Sequence, residues 1–182
     1  MIRFLLWLLG GVLLGGVVHL VTVLVLPRMA SQDAYSRFVP FAPVNKVVPV
    51  PSPSPDKATM PFMDPAFAMA VCRYDLTKAA LKFSVPISQA YTSVSFYTRS
   101  DIAYYAINDR AAGRRVIELD LMTQEQHSEV PDNEEVTAAD RLIVESPTNT
   151  GLIVIKALAA EPGLLASAQS SLTGARCQPQ PQ

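Results

Sequence analysis

Two runs in the stretch LKFSVPISQAYTSVSFYT, residues 81–98, alternate apolar and polar side chains with a period of two. In the first run Leu81, Phe83 and Val85 share one face, and in the second Val94 and Phe96 alternate with serines. Successive side chains of a β-strand point to opposite sides, so this period indicates half-buried antiparallel strands. The stretch therefore predicts a β-rich fold.

Further strand-like runs follow, separated by turn-rich segments. The runs DIAYYAI (101–107) and RVIELDLM (115–122) flank NDRAAGR, and we predict that they form a β-hairpin. The runs RLIVES (141–146) and LIVIKAL (152–158) predict a second hairpin. Because LIVI is apolar on both faces, we expect its strand at the centre of a sheet.

The segment PGLLASAQSSLTG, residues 162–174, predicts a C-terminal helix, with Pro162 near its first turn and Gly174 at its end. The fold class is therefore mainly β, of the α+β type: an antiparallel β-sheet or sandwich domain closed by a C-terminal helix. We place this domain at residues 64–177 and expect a disordered tail at residues 178–182.

The run from Phe4 to Leu26 contains no Asp, Glu, Lys or Arg. As a helix it would be about 34 Å long, enough to cross a bilayer. A cleaved signal peptide is the alternative, but its apolar region usually spans about 7–15 residues, and PRMASQDA (27–34) offers no good small-x-small cleavage site. We therefore expect residues 1–27 to be an uncleaved transmembrane helix.

The charges that flank this helix lean against an N-inside orientation, since Arg28, Arg37 and Lys46 follow it and Arg3 precedes it. Long domains are translocated largely regardless of flanking charge, however, and no later apolar segment is long enough to return the chain. We expect a single-pass anchor with the C-terminal domain outside the cytoplasm.

Within the helix, Gly11 and Gly15 form a GxxxG pair. Such a small-residue surface allows a second helix to pack closely, so a dimer through these glycines is one interpretation. Simple tolerance of glycine, which is frequent in membrane helices, is the other.

Nine of the fifteen prolines of the chain lie between Pro27 and Pro65. Alternating prolines, as in VVPVPSPSPDKATMP (47–61), favour an extended polyproline II chain without packing. We therefore interpret residues 28–63 as a Pro-rich stalk that holds the domain off the bilayer. Recognition of the prolines by a partner is the alternative.

The run MDPAFAMAVCRYDLTKAALKFSVPISQAYTSVSFYTRSDIAYYAIND, residues 63–109, resembles a bacterial family, the domain of unknown function 1254, in its short membrane-anchored form. The resemblance rests on an Asp-Pro pair, a strand that ends in Tyr-Asp-Leu, and aromatic-rich strands. It implies a β-rich domain in the envelope of a Gram-negative cell, with the anchor in the inner membrane and the domain in the periplasm. The family brings no established activity or catalytic residues.

Cys72 lies in the predicted first strand, and Cys177, the only other cysteine, follows the predicted C-terminal helix. In an oxidising periplasm an even pair of cysteines is more often a disulfide than two free thiols. We predict a Cys72–Cys177 disulfide for a translocated domain, and buried free thiols are the alternative. Free Cys72 as nucleophile, with His127 as its base, would instead make a small cysteine-dependent hydrolase.

Few patterns point to chemistry or to nucleic acid. The formal net charge of −1 gives no basic field for nucleic acid, and the chain contains no P-loop, dinucleotide fingerprint or G-x-S-x-G motif. Outside the predicted membrane helix the sequence has two cysteines and one histidine, His127, at wide separation, which do not form a zinc pattern. A cluster of acidic residues lacks the spacing of a calcium loop. We predict no catalytic residues, metal or cofactor. That acidic cluster consists of Glu125, Glu129, Asp132, Glu134 and Glu135.

Several tyrosines in the predicted strands form a candidate binding surface. If they shared one sheet face, their amphipathic rings would bind a sugar, a peptide or a lipid headgroup. Packing between strands, with the hydroxyl groups at the rim, is the alternative. The set consists of Tyr74, Tyr91, Tyr97, Tyr104 and Tyr105.

These features together predict a membrane-anchored periplasmic module without enzymatic activity. We expect it to bind an envelope protein or a cell-wall component, or to serve in envelope assembly. No motif in the sequence specifies a ligand or a reaction. The cysteine-dependent hydrolase is the alternative that the structure must test.

Overall fold

A computed structural model describes residues 1–29, 33–54, 56–112, 115–129 and 142–180. The chain forms two compact units, Met1–Asp33 and Ala34–Gln182. The first unit contains a single long helix, α1 (Ile2–Met29). Its segment Ile2–Leu26 has a mean hydropathy of 2.4 and is long enough to cross a membrane, a property that signal sequences share.

The second unit contains two β-sheets and a few short helices. One sheet has five strands in the order β1-β2-β8-β4-β5, and the other has four in the order β7-β6-β3-β9. Among these strands every neighbouring pair is antiparallel except β6 and β7, which are parallel. The strands are β1 (Val47–Val50), β2 (Phe67–Asp75), β3 (Leu81–Pro86), β4 (Thr92–Thr98), β5 (Ala103–Asn108), β6 (Val116–Thr123), β7 (Leu142–Ser146), β8 (Thr150–Leu158) and β9 (Arg176–Pro179).

The main core lies between the two sheets and is formed by the inward face of each strand. Leu81, Phe83 and Val85 of β3 are fully buried there, as the period of two predicts. Strand β8 lies at the centre of the five-stranded sheet, as expected for a strand that is apolar on both faces. Its Ile153 enters the main core, whereas its Leu152 faces a second cluster on the outer side. The predicted mainly β fold is confirmed.

A C-terminal helix, α5 (Leu165–Thr173), packs against β8 and β2, and a 3-10 turn (Pro162–Leu164) leads into it. Ala168 and Leu172 point into the main core. Gly174 follows the last helical residue, so the helix that closes the sandwich is confirmed with the predicted end.

The interpretation of residues 28–63 as a stalk is wrong for much of that range. A short helix, α2 (Ala34–Phe38), and strand β1 both pack on the outer face of the five-stranded sheet. The apolar side chains among the prolines explain this, because they cover the otherwise exposed outer faces of β2 and β8. Pro49 is tolerated because β1 is an edge strand. The resulting outer cluster has Tyr35, Phe38, Ala42, Val50, Val71 and Leu152 as its buried members.

Both predicted hairpins are wrong. Strands β5 and β6 belong to different sheets, with a helical turn, α3 (Asp109–Ala112), between them. Strand β7 pairs in parallel with β6, while β8 pairs with β2 and β4. Turn-rich segments indicate where a strand ends. The same residue types occur in hairpin loops and in connections between two sheets, so they do not predict which strand is the partner.

The predicted disordered tail begins too early. Gln178 and Pro179 belong to β9, which pairs with β3, and the backbone N–H of Gln180 donates to the carbonyl of Ala80 at 2.8 Å. The last two residues lie outside the described ranges. The chain therefore continues as an edge strand of the four-stranded sheet beyond residue 177.

Candidate functional site

Cys72 of β2 and Cys177 of β9 form a disulfide that links the two sheets through the core. Their α-carbons are 6.6 Å apart, and their relative exposures are 0% and 2%. This is the pairing expected from the sequence. Since the Cys72 sulfur is bonded and buried, it has no thiol with which to attack a substrate, and the cysteine hydrolase hypothesis is wrong.

His127, the proposed base, lies instead on a short helix, α4 (Gln124–Ser128). Its Nδ1 atom is 2.5 Å from a carboxylate oxygen of Glu145 on β7, and both side chains are about half exposed. A capping box formed by Thr123 and Gln126 explains why the helix begins there. The pair is an ordinary surface contact between α4 and β7.

The five tyrosines do not share a face, so they do not form the predicted surface. Tyr74 is completely buried, Tyr91 is exposed in the loop before β4, and Tyr97 packs on the outer cluster. Tyr104 and Tyr105 both pack near the buried Phe96, with ring centroids 6.2 and 5.7 Å away. A register shift between Phe96 and Tyr97 leaves Tyr104 without a partner in β4, so the alternation is interrupted in β5.

Three of these residues instead belong to a buried hydroxyl network. The Tyr104 hydroxyl donates to the Tyr74 hydroxyl at 3.2 Å, and the Tyr74 hydroxyl donates to the carbonyl of Tyr97 at 3.2 Å. Ser146 Oγ lies 3.0 Å from the Tyr74 hydroxyl and donates to the carbonyl of Thr148 at 2.7 Å. Burial raises the pKa of Tyr104 well above its ordinary value, so its hydroxyl stays a neutral donor. The network joins β2, β4, β5 and β7.

Two arginines hold the N-terminal segment on the five-stranded sheet. The Arg73 guanidinium lies 4.7 Å from the Tyr35 ring centroid, and that of Arg99 lies 4.3 Å from it. Arg73 also donates to the carbonyl of Ala42 at 3.0 Å and to the Tyr35 hydroxyl at 3.3 Å. These cation–π and hydrogen-bond contacts join segments that are remote in sequence, so no local pattern predicts them.

A groove of about 370 Å³ runs between the edge strand β1 and helix α5. This volume lies within the usual range for small-ligand pockets. Its lining is mainly apolar, and three polar side chains stand at its rim. Because three separate parts of the chain form the groove, no local sequence pattern predicts it. The lining residues are Pro49, Val50, Pro51, Ser52, Ala68, Met69, Gln169, Leu172 and Thr173.

The described residues contain no group of three or more His, Cys, Asp or Glu side chains placed to hold a metal ion. Asp132, Glu134 and Glu135 of the acidic cluster lie outside the described ranges. Asp75 is engaged locally: the Thr77 hydroxyl donates to it at 2.6 Å and holds the pKa of its carboxyl below the ordinary value. Among the described residues, the groove is a candidate site of the size that small-ligand pockets have.

A family described as "Protein of unknown function (DUF1254)" matches residues 44–179. Because the match covers about three quarters of the chain, the chain belongs to this family. No curated protein sequence matches the chain.

Two solved structures have a similar fold. The VPA0106 protein from Vibrio parahaemolyticus is 15% identical, with a TM-score of 0.59 over 80% of this chain and 34% of that one. An uncharacterised protein from Burkholderia cenocepacia is 13% identical, with a TM-score of 0.50 over 80% of this chain and 36% of that one. The chain thus spans about a third of the length of these proteins, and the likeness concerns the fold alone.

Proposed function

We propose that this DUF1254 protein is a membrane-anchored binding module of the bacterial envelope, without enzymatic activity, and that its domain lies in the periplasm. Its ligand is an apolar segment of an envelope protein, which binds in the groove between β1 and α5. The groove is the observation that carries this proposal.

The location is supported by two features that are independent of each other. The apolar segment Ile2–Leu26 has the length of a membrane span. The Cys72–Cys177 disulfide fits an oxidising compartment, because thiols in the cytosol are kept reduced. A domain translocated behind an uncleaved α1 satisfies both.

The position of the groove supports the binding role. Val50 of β1 pairs with Met69, close to the end of the sheet where Phe67 pairs with Leu158. The chain joins the domain at the opposite end, where the Ala34 N–H donates to Asp101 in the turn between β4 and β5. We call these the far end and the attachment end. The apolar groove near the far end is therefore remote from Ala34, where the chain enters the domain.

Site-specific photocrosslinking in intact cells tests the proposal. A photoreactive side chain replaces Gln169, an exposed groove residue, and in a matched control it replaces Glu118, which is exposed on β6 of the other sheet. We expect a discrete crosslinked protein from position 169 alone. We also expect that Thr173→Trp, which places a large ring at the groove rim, removes this product.

The same crosslinks at both positions, or a product at position 169 that persists with Thr173→Trp, would contradict binding in the groove. The absence of any product at position 169 in cells that contain the intact, membrane-bound chain would contradict it as well.

A further inference from the structure

The attachment end has a defined structure at Ala34, the first residue of the domain. The Ala34 N–H donates to a carboxylate oxygen of Asp101 at 3.0 Å. The turn that carries Asp101 is closed by a hydrogen bond from the Thr98 N–H to the Ile102 carbonyl, at 2.9 Å. The start of the domain is therefore fixed beside the turn between β4 and β5.

Several large apolar side chains are exposed at this end of the domain. Ile102 is 64% exposed at the tip of the turn, Val39 is 49% exposed, and Phe41 and Val44 are each 40% exposed. They account for four of the eight large apolar side chains exposed on the described part of the domain. A concentration of exposed apolar side chains at one end of a domain fits a surface that contacts a partner or a membrane.

Contacts within the segment hold these side chains in place. The Phe41 ring packs edge-on against the buried Phe38, with centroids 5.5 Å apart. Val44 forms a β-bridge with Arg73, whose guanidinium also donates to the Val39 carbonyl at 3.4 Å. The exposed apolar side chains are thus presented by a packed segment.

The short connection between α1 and the domain limits the distance between this end and any bilayer that α1 spans. Helix α1 ends at Met29 and α2 begins at Ala34, so five Cα–Cα steps join them. Even fully extended, this connection spans at most about 18 Å. A domain of this size has a radius of gyration of about 15 Å. If α1 spans a bilayer, the attachment end therefore lies close to the lipid headgroups, within the reach of this connection.

We infer that the attachment end rests on the surface of the bilayer that holds α1, with Val39, Phe41, Val44 and Ile102 in the interfacial layer. Arg37 and Lys46, which are exposed on the same segment, lie at headgroup level. Since Asp101 contributes negative charge at the same end, apolar contact carries the association. The inference rests on the proposed function, because it requires α1 to be an uncleaved anchor.

Lipid quenching of tryptophan fluorescence tests the inference in the full chain. Trp7 is the only tryptophan, so Trp7→Phe provides a silent background for Ile102→Trp. Tyr91→Trp on the same background is the matched control. Tyr91 is 38% exposed and precedes β4, whose seven residues separate it from the turn by about 23 Å. Each protein is reconstituted into phosphatidylethanolamine–phosphatidylglycerol vesicles whose acyl chains are brominated near the headgroup.

We expect bromination to lower the fluorescence of the Ile102→Trp protein at least twofold and to leave that of the Tyr91→Trp protein unchanged. In the chain without substitutions, Trp7 reports on α1 in the same vesicles. Quenching of Trp7 without quenching of the Ile102→Trp protein, or equal quenching of the Ile102→Trp and Tyr91→Trp proteins, would overturn the inference and leave the anchor intact. An unquenched Trp7 would show that α1 is not inserted, and both the proposed function and the inference would then fail. Unchanged circular dichroism shows that each variant has folded.

Discussion

Removal of the disulfide is expected to cost this domain a large part of its stability. Cys72 and Cys177 are separated by 105 positions in sequence. On a chain-entropy account, a crosslink that closes a loop of this length stabilises the native state by about 4.7 kcal/mol. Small domains are stable by only about 5–15 kcal/mol in total. For a domain of about 150 residues, this loss corresponds to a fall in melting temperature of about 15 °C.

The assay compares thermal unfolding, followed by circular dichroism, in the oxidised protein, the reduced protein and the Cys72→Ala, Cys177→Ala double variant. We expect the reduced protein and the double variant to melt together, both far below the oxidised form. Reductant added to the double variant is the control and should change nothing. The reasoning fails if oxidised and reduced proteins melt within about 3 °C of each other, or if the denatured, unreduced protein reacts with a thiol reagent.

Three further predictions test the packing. A chain that starts at residue 33 should fold. A chain that starts at Pro61 should expose the outer cluster, so its free energy of unfolding should fall by about 5–8 kcal/mol and it should bind a hydrophobic dye. Gly151→Ala should lower the free energy of unfolding, measured in urea, by about 2–3 kcal/mol, because its new Cβ would overlap the Tyr97 carbonyl oxygen. Gly163→Ala is the control and should leave the free energy of unfolding unchanged, because Gly163 has open space around it. Thr77→Val should raise the lowered pKa of Asp75 toward 3.8 in an NMR titration. Because the folded pKa is the lower one, the stability from this contact is present above pH 3.8 and lost as the pH falls through the folded value.

The elements of the fold were largely predictable because burial imposes a period on the sequence. The alternation in β3 and β4 and the two-sided apolar run in β8 each follow from which faces are covered. The disulfide was predictable from a count of two cysteines and an oxidising compartment. The alternation is a local signal and the cysteine count is a compositional one, so both can be read from one sequence.

The pairing of strands was not predictable in the same way. The segment between β5 and β6 has the residues of a turn, yet it carries the chain from one sheet to the other. Whether such a segment forms a hairpin or a crossover depends on which partner strand buries more apolar area. The candidate partners are distant in sequence, so the segment itself does not contain the answer. The groove between β1 and α5 is a product of the same long-range arrangement.

The tyrosines illustrate a second limit. A strict period of two places Tyr97 of β4 correctly, but in β5 the extra residue Tyr104 changes the count, so Tyr104 and Tyr105 do not alternate. One irregular residue is enough to move each later side chain to the other face. The buried hydroxyl network around Tyr74 therefore stands in place of the candidate binding surface, and packing between strands, the alternative, describes most of these rings.

The packed N-terminal segment also changes where a ligand must be found. As an extended stalk, residues 28–63 would reach about 110 Å from the bilayer. With α2 beginning at Ala34, the connection after α1 spans at most about 18 Å, and the domain adds a diameter of roughly 40 Å. If α1 is an anchor, the groove near the far end lies within about 60 Å of the membrane. A ligand for it is then either a membrane protein or a component that comes close to the membrane surface, and a crosslinked partner confined to more distant layers would contradict the short connection.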